Sequence, residues 1–189
     1  IRKPTFVVMQ TGTRTIETRN IGSLQSHFRI KNQIPSEIQI PRLVEICNKY
    51  NVMLKEHNAD YLSNEILSWH PKLGIHAVNV APEFGVAETE AFINTLREEE
   101  LTSELTQFIE IANGSKKWKK WIVGDENNYS DLQKAIICGH YIFSNDQFLK
   151  LKNLVESKLK AKDINLEKKL YKSVYNSIIR YCKALRLIK

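Results

Sequence analysis

No apolar run in this sequence approaches the roughly 18 residues of a membrane-spanning helix, so no membrane partner is expected. Nothing at its start reads as a signal peptide, and the chain opens at Ile1 without an initiator methionine. The expectation is a piece of a longer, cytoplasmic protein. Cysteines number only 3. Cys47, Cys138 and Cys182 lie far apart among apolar neighbours, with no CxxC or Cys/His spacing of a structural zinc site. Buried, reduced thiols are expected rather than a disulfide framework. Repeats, low-complexity segments, a helix-turn-helix and RNA-binding signatures are also missing.

What is present is ordinary for a globular chain: 189 residues, 42% hydrophobic and 26% charged, enough for one good core or half of a large one. The formal charge of +7 suggests nucleic acid until it is located. Residues 150–189 carry 12 Lys/Arg against 3 Asp/Glu, and the first 149 residues carry 16 against 18. The basicity belongs to the tail, where a solvated helix face is expected. An anion-binding module built on that tail is the alternative, and no nucleic-acid partner is expected.

"TFVVMQTGT" (5–13) reads as a buried strand that ends in small polar residues. Residues 14–39 read mostly as loop, which leaves His27 without a fixed position. "IPRLVEICNKY" reads as a helix with Pro41 in its first turn, and "NVMLKEH" as a second strand. "SNEILSW" is a short helix with Ser63 as N-cap, and "GIHAVNVAPEFG" (74–85) a third strand broken by Pro82. "VAETEAFINTLREEEL" and residues 103–112 read as helices, "SDLQKAIICG" as a capped helix and "HYIFSN" as a fourth strand. Two helices finish the chain, the second capped by Asn165. Trp118 and Trp121, one helical turn apart, read as a core stripe. His70, in a loop before Pro71, and His76 and His140 read as structural.

Strands alternating with helices imply parallel pairing. The expected fold class is α/β, the C-terminal half of a (β/α)8 TIM barrel over 1–150 with a basic helical extension over 151–189. Such folds carry function at the C-terminal ends of the strands. Side chains alternate along a strand, so Phe6, Val8 and Gln10 share one parity. Met53, Lys55 and His57 point the same way if Val52 and Leu54 face the helices. Ala77 and Asn79 do so if Val78 and Val80 do. Ser144 and Asn145 would stand at the end of the fourth strand. Gln10, Lys55, His57 and Asn79 therefore converge at one mouth.

"VVMQTGT", "KEHNADYL", "HAVNVAPEFGVAETEAF" and "GHYIFS", in this order and spacing, resemble the C-terminal half of the tagatose-bisphosphate aldolase Z-type subunit family, often called the non-catalytic subunit. Some of its members are sugar-phosphate 4-epimerases. The resemblance covers most of residues 4–150 and is most specific over Glu56–Tyr61. It implies carbohydrate metabolism: metal-dependent aldol cleavage or 4-epimerisation of a keto-sugar or sugar phosphate. His57 would hold a divalent metal, zinc foremost. Glu56, Asp60 and Lys55 are the candidate catalytic residues; Gln10, Asn79, Ser144 and Asn145 would bind substrate. A Schiff base on Lys55 is a further option. The resemblance also implies an alternative, a non-catalytic subunit that stabilises a class II aldolase catalytic subunit, or else a homo-oligomer. Lys55, Asn79 and Glu83 depart from the charges it leads one to expect, which speaks for that alternative and against a bisphosphate substrate.

Overall fold

A computed structural model describes residues 3–26 and 30–189, so the open question of His27 lies outside the described residues. The chain divides into two units, the first running to Ala81 and joined by Ile179–Lys189, the second spanning Pro82–Ile178.

In the first unit, β1 (Phe6–Met9) leads into a hairpin of β2 (Thr15–Ile16) and β3 (Arg19–Asn20), then α1 (Ser36–Tyr50), β4 (Met53–Glu56), α2 (Asn64–Leu73) and β5 (Ala77–Val78). The sheet is parallel, in the order β1-β4-β5, with Val8 beside Lys55 and Lys55 beside Ala77. Parallel neighbours need a long crossover, and α1 and α2 supply it. α1 starts at Ser36, a turn before Pro41, because Pro35 already holds a helix-compatible φ of −56°. It stops where Asn51 turns left-handed, at φ 49°. The Ser63 side chain accepts the Ile66 N–H at 3.2 Å and caps α2, and Gly74 ends it at φ 78°. Ile40, Cys47, Leu54 and Ile75 form the core. Each such aliphatic side chain, when fully buried, contributes about 1.5–3 kcal/mol.

The second unit is helical: α3 (Pro82–Glu98), α4 (Thr102–Gly114), α5 (Asp131–Cys138), α6 (Asp146–Lys160) and α7 (Leu166–Ala184), the last crossing into the first unit after Ile178. Phe92, Phe108 and Phe148 meet at centroid distances of 5.1–5.9 Å, tilted and edge-on, at the centre of its core. Trp118 belongs to that core, and Trp121 packs at its margin while donating its indole N–H to Tyr141 at 3.1 Å. Four basic residues of the tail enter ion pairs among the described residues. Lys152, Lys158, Lys162 and Lys169 pair with Glu167, Glu104, Glu99 and Glu98. Cys47 and Cys138 are buried and Cys182 is half-buried, all free. No helix among the described residues is long and apolar enough to cross a membrane.

The half-barrel expectation is overturned. "HYIFSN" has the composition of a strand, but Gly139–Ile142 winds into a 3-10 turn with Ile142 buried in the helical core. Asn145, expected at a strand end, instead caps α6 by accepting the Gln147 N–H at 2.7 Å. The third strand shrinks to two residues because Pro82 begins α3. Three parallel strands and a hairpin remain among the described residues, too few for half of an eight-stranded barrel.

Candidate functional site at the strand ends

The register sorts the sheet into two faces. Val7, Met9, Leu54, Glu56 and Val78 share the side covered by the helices, where Leu54 and Glu56 are fully buried. Phe6, Val8 and Met53 share the other, at 42%, 51% and 44% exposure, with half-buried Lys55 among them. The His57 N–H donates to the Met9 carbonyl at 3.1 Å and extends the β1–β4 ladder by one step. Gln10 and His57 therefore follow Val8 and Lys55 on the uncovered face. The Asn79 N–H donates to the Glu56 carbonyl at 3.0 Å and brings Asn79 to the same edge. Of the residues expected to converge, Gln10, Lys55, His57 and Asn79 keep a common parity; Ser144 and Asn145 lie in the second unit.

The loop after β1, read from sequence as little more than a connector, is braced onto the loop after β4. Asn20 is its hub. Its Oδ1 accepts the N–H groups of Arg14 and Gly22, each at 3.1 Å, and its Nδ2 donates to the carbonyls of Asn58 and Asp60 at 3.0 and 2.9 Å. The Thr13 hydroxyl donates to the His57 carbonyl. Gly22 lies so close that a Cβ there would stand 2.0 Å from the Gly12 carbonyl. The available signal was Asn20 two residues before a glycine, the spacing at which an Asn side chain closes a turn on the backbone. Asn20→Ala strands four backbone groups, two donors and two acceptors, in a mostly buried setting. A loss of about 2–3 kcal/mol is expected, read by chemical denaturation, with accelerated amide exchange in residues 12–22.

Two of the candidate acids, Glu56 and Asp60, are engaged in internal hydrogen bonds. Glu56 lies beneath the sheet, fully buried, where its carboxylate accepts the Thr11 hydroxyl and faces His70 Nε2 at 2.5 Å. His70 sits in α2, not in a loop, and its Nδ1 lies 2.9 Å from the Ile66 carbonyl. That carbonyl only accepts, so Nδ1 carries a proton. The short Nε2 contact then requires a second proton, on the ring or on the carboxyl. Burial pulls the His70 pKa down, but hydrogen bonding and charge from Glu56, with the Ile66 carbonyl, outweigh it and hold the pKa above 6.5. Asp60 is also buried. Its carboxylate accepts the Ala81 N–H at 2.9 Å and ties the loop after β4 to the segment after β5. At the start of α3, Glu83 accepts the Ser177 hydroxyl at 3.4 Å. His140, in its 3-10 turn, is packed over Gly85 and held to a pKa of about 4 by burial, hence neutral; His76 is exposed.

His57 Nδ1 is buried and without a partner, but no three His, Cys, Asp or Glu side chains converge among the described residues. Zinc needs a set of at least three protein ligands. One orphan imidazole does not supply it, so the described residues do not fit a complete metal site. What they form is a row of amides and an imidazole at the C-terminal edge of a parallel sheet, with one ammonium behind it.

These features define the class: a small parallel α/β unit with a polar strand-end row, joined to a helical unit. Compared with family models, curated proteins and solved structures, the chain matches none.

Proposed function

We propose that the first unit binds a keto-sugar or sugar phosphate at the strand-end row and serves carbohydrate metabolism in the cytoplasm. The observation that carries this reading is the shared register of Gln10 with His57 and of Val8 with Lys55, with Asn79 at the same edge. Amide side chains donate to and accept from hydroxyls at once, and the Lys55 ammonium suits a carbonyl or anionic oxygen. Open parallel sheets bind ligands at this edge. The aldolase-like motifs of the sequence point to the same substrate class.

Binding without turnover is the form that the geometry favours. Glu56 and Asp60, the acids expected to move protons, are engaged in internal hydrogen bonds. A non-catalytic subunit that stabilises an aldolase-type partner accommodates this. The uncovered sheet face supports it further, since parallel sheets are ordinarily covered on both sides.

Titration calorimetry with a ketohexose and its 6-phosphate tests the reading. Saturable binding is expected, weakened about tenfold by Gln10→Ala or Asn79→Ala through loss of one or two hydrogen bonds. Absence of saturable binding by the folded chain to either compound would remove the proposal.

A further inference from the structure

Beside the strand-end row lies an open cavity of about 420 Å³. Its polar walls come from Gln10, Thr13, Arg14, Gln33, Gln39 and Asn58. Arg14 is the charged residue of the lining, and no carboxylate is among those walls. The nearest acid in sequence, Glu17, is paired with Arg19 at 3.2 Å. Among the described residues the Arg14 guanidinium enters no ion pair. The Thr13 hydroxyl already donates to the His57 carbonyl, so amides and one guanidinium in no ion pair among the described residues are left to meet a ligand, and these favour an anion over a cationic group.

The walls are held in place before any ligand arrives. The Arg14 N–H donates to Asn20 Oδ1 and its carbonyl accepts the Ile21 N–H at 2.7 Å, so both backbone groups at the base of the guanidinium are fixed. Asn58 has a left-handed φ of 60°, and its carbonyl is held by the same Asn20 amide. A single buried side chain thus sets the spacing between the two sides of the cavity. Gln10 belongs both to this cavity and to the strand-end row, so one ligand can reach from one to the other.

We infer that this cavity is a phosphate subsite, in which Arg14 receives the phosphoryl group of a sugar phosphate whose hydroxyls lie along the row of Gln10, His57 and Asn79. The inference rests on the sugar-binding reading for the second half of that statement; the anion preference stands on the cavity alone. A guanidinium pairs with two phosphoryl oxygens at once, and Arg14 has the free valence to do so.

The experiment compares three probes by titration calorimetry: a ketohexose, its 6-phosphate and inorganic phosphate, each against the full chain and Arg14→Gln. The expected result is about tenfold tighter binding of the phosphorylated sugar than of the free sugar. In Arg14→Gln, verified as folded by circular dichroism, the ratio should fall close to one. Equal affinity of the two sugars for the unaltered chain, or a ratio that survives Arg14→Gln, overturns the subsite while leaving the sugar-binding reading in place. Binding of inorganic phosphate that Arg14→Gln abolishes, with no sugar bound at all, supports the anion site and overturns the sugar reading. No binding of any of the three overturns both.

Discussion

Glu56→Ala is expected to destabilise the first unit by about 3–5 kcal/mol, the range for removing one member of a buried charged pair. The loss comes less from the Glu56 contacts themselves than from what is left behind. His70 is buried to 0% exposure, and without the carboxylate its Nε2 loses its partner. The Thr11 hydroxyl is buried equally deeply and loses its partner in the same stroke. Three segments come apart together, since Glu56 ends β4, His70 lies in α2 and Thr11 opens the loop after β1. Chemical denaturation gives the size, and amide exchange in β4 and α2 gives the location. A change below about 1 kcal/mol would mean that the pair is not the tie it is taken to be.

The same pair sets a pH dependence whose sign follows from the direction of the His70 shift. His70 is more basic folded than unfolded, so the folded state holds its proton to higher pH. The stabilisation is fully present below the unfolded value of about 6.5. It is lost as pH rises through the higher folded value. The unaltered chain should therefore weaken from near neutral pH into the alkaline range, and His70→Gln should flatten that slope. A slope unchanged by the substitution would place the titration elsewhere.

Phe108→Ala is the second large effect, expected at about 3–5 kcal/mol in the second unit. Phe108 has 0% exposure and touches both other rings of the Phe92–Phe108–Phe148 cluster. Its far edge is closed by Gly139, where even a Cβ would come within 2.9 Å of Cζ. Such a site collapses poorly after truncation, because the neighbouring rings are held by α3 and α6 and the glycine turn offers no side chain to move in. The cavity term therefore adds to the lost transfer free energy. Phe108→Leu, which keeps much of the volume, should recover more than half of the loss. Equal effects of Ala and Leu would argue against a packing origin.

Several features of the fold were legible along the chain. Alternation along "FVVMQ" and "VMLKEH" placed Gln10, Lys55 and His57 on one side, and the ladder keeps them there, since a strand of any length has a period of two. Ser63 and Asn165 were legible as helix caps because their hydrogen bonds run to residues three positions on. The fourth strand was not. "HYIFSN" has strand propensity, but its ends are claimed by a buried glycine and by Asn145, which caps α6, and packing of Ile142 decides the rest. Propensity over a handful of residues is too weak to resist that.

What the sequence by itself determined is local: the caps at Ser63 and Asn165, and the polar residues Gln10, His57 and Asn79 that follow the three strands. Only the tertiary structure decided what those polar residues do. Glu56 and His57 are neighbours in the chain, yet one is sealed under the sheet with partners 45 and 14 residues away, and the other ends on the uncovered face. Asn20 gains its role from carbonyls 38 and 40 residues away. Arg14 becomes the charged member of a cavity because Asn20 folds its loop over Asn58. The reason is physical: periodicity and capping act over three or four residues, whereas the burial and pairing of a charge depend on whatever the rest of the chain brings against it.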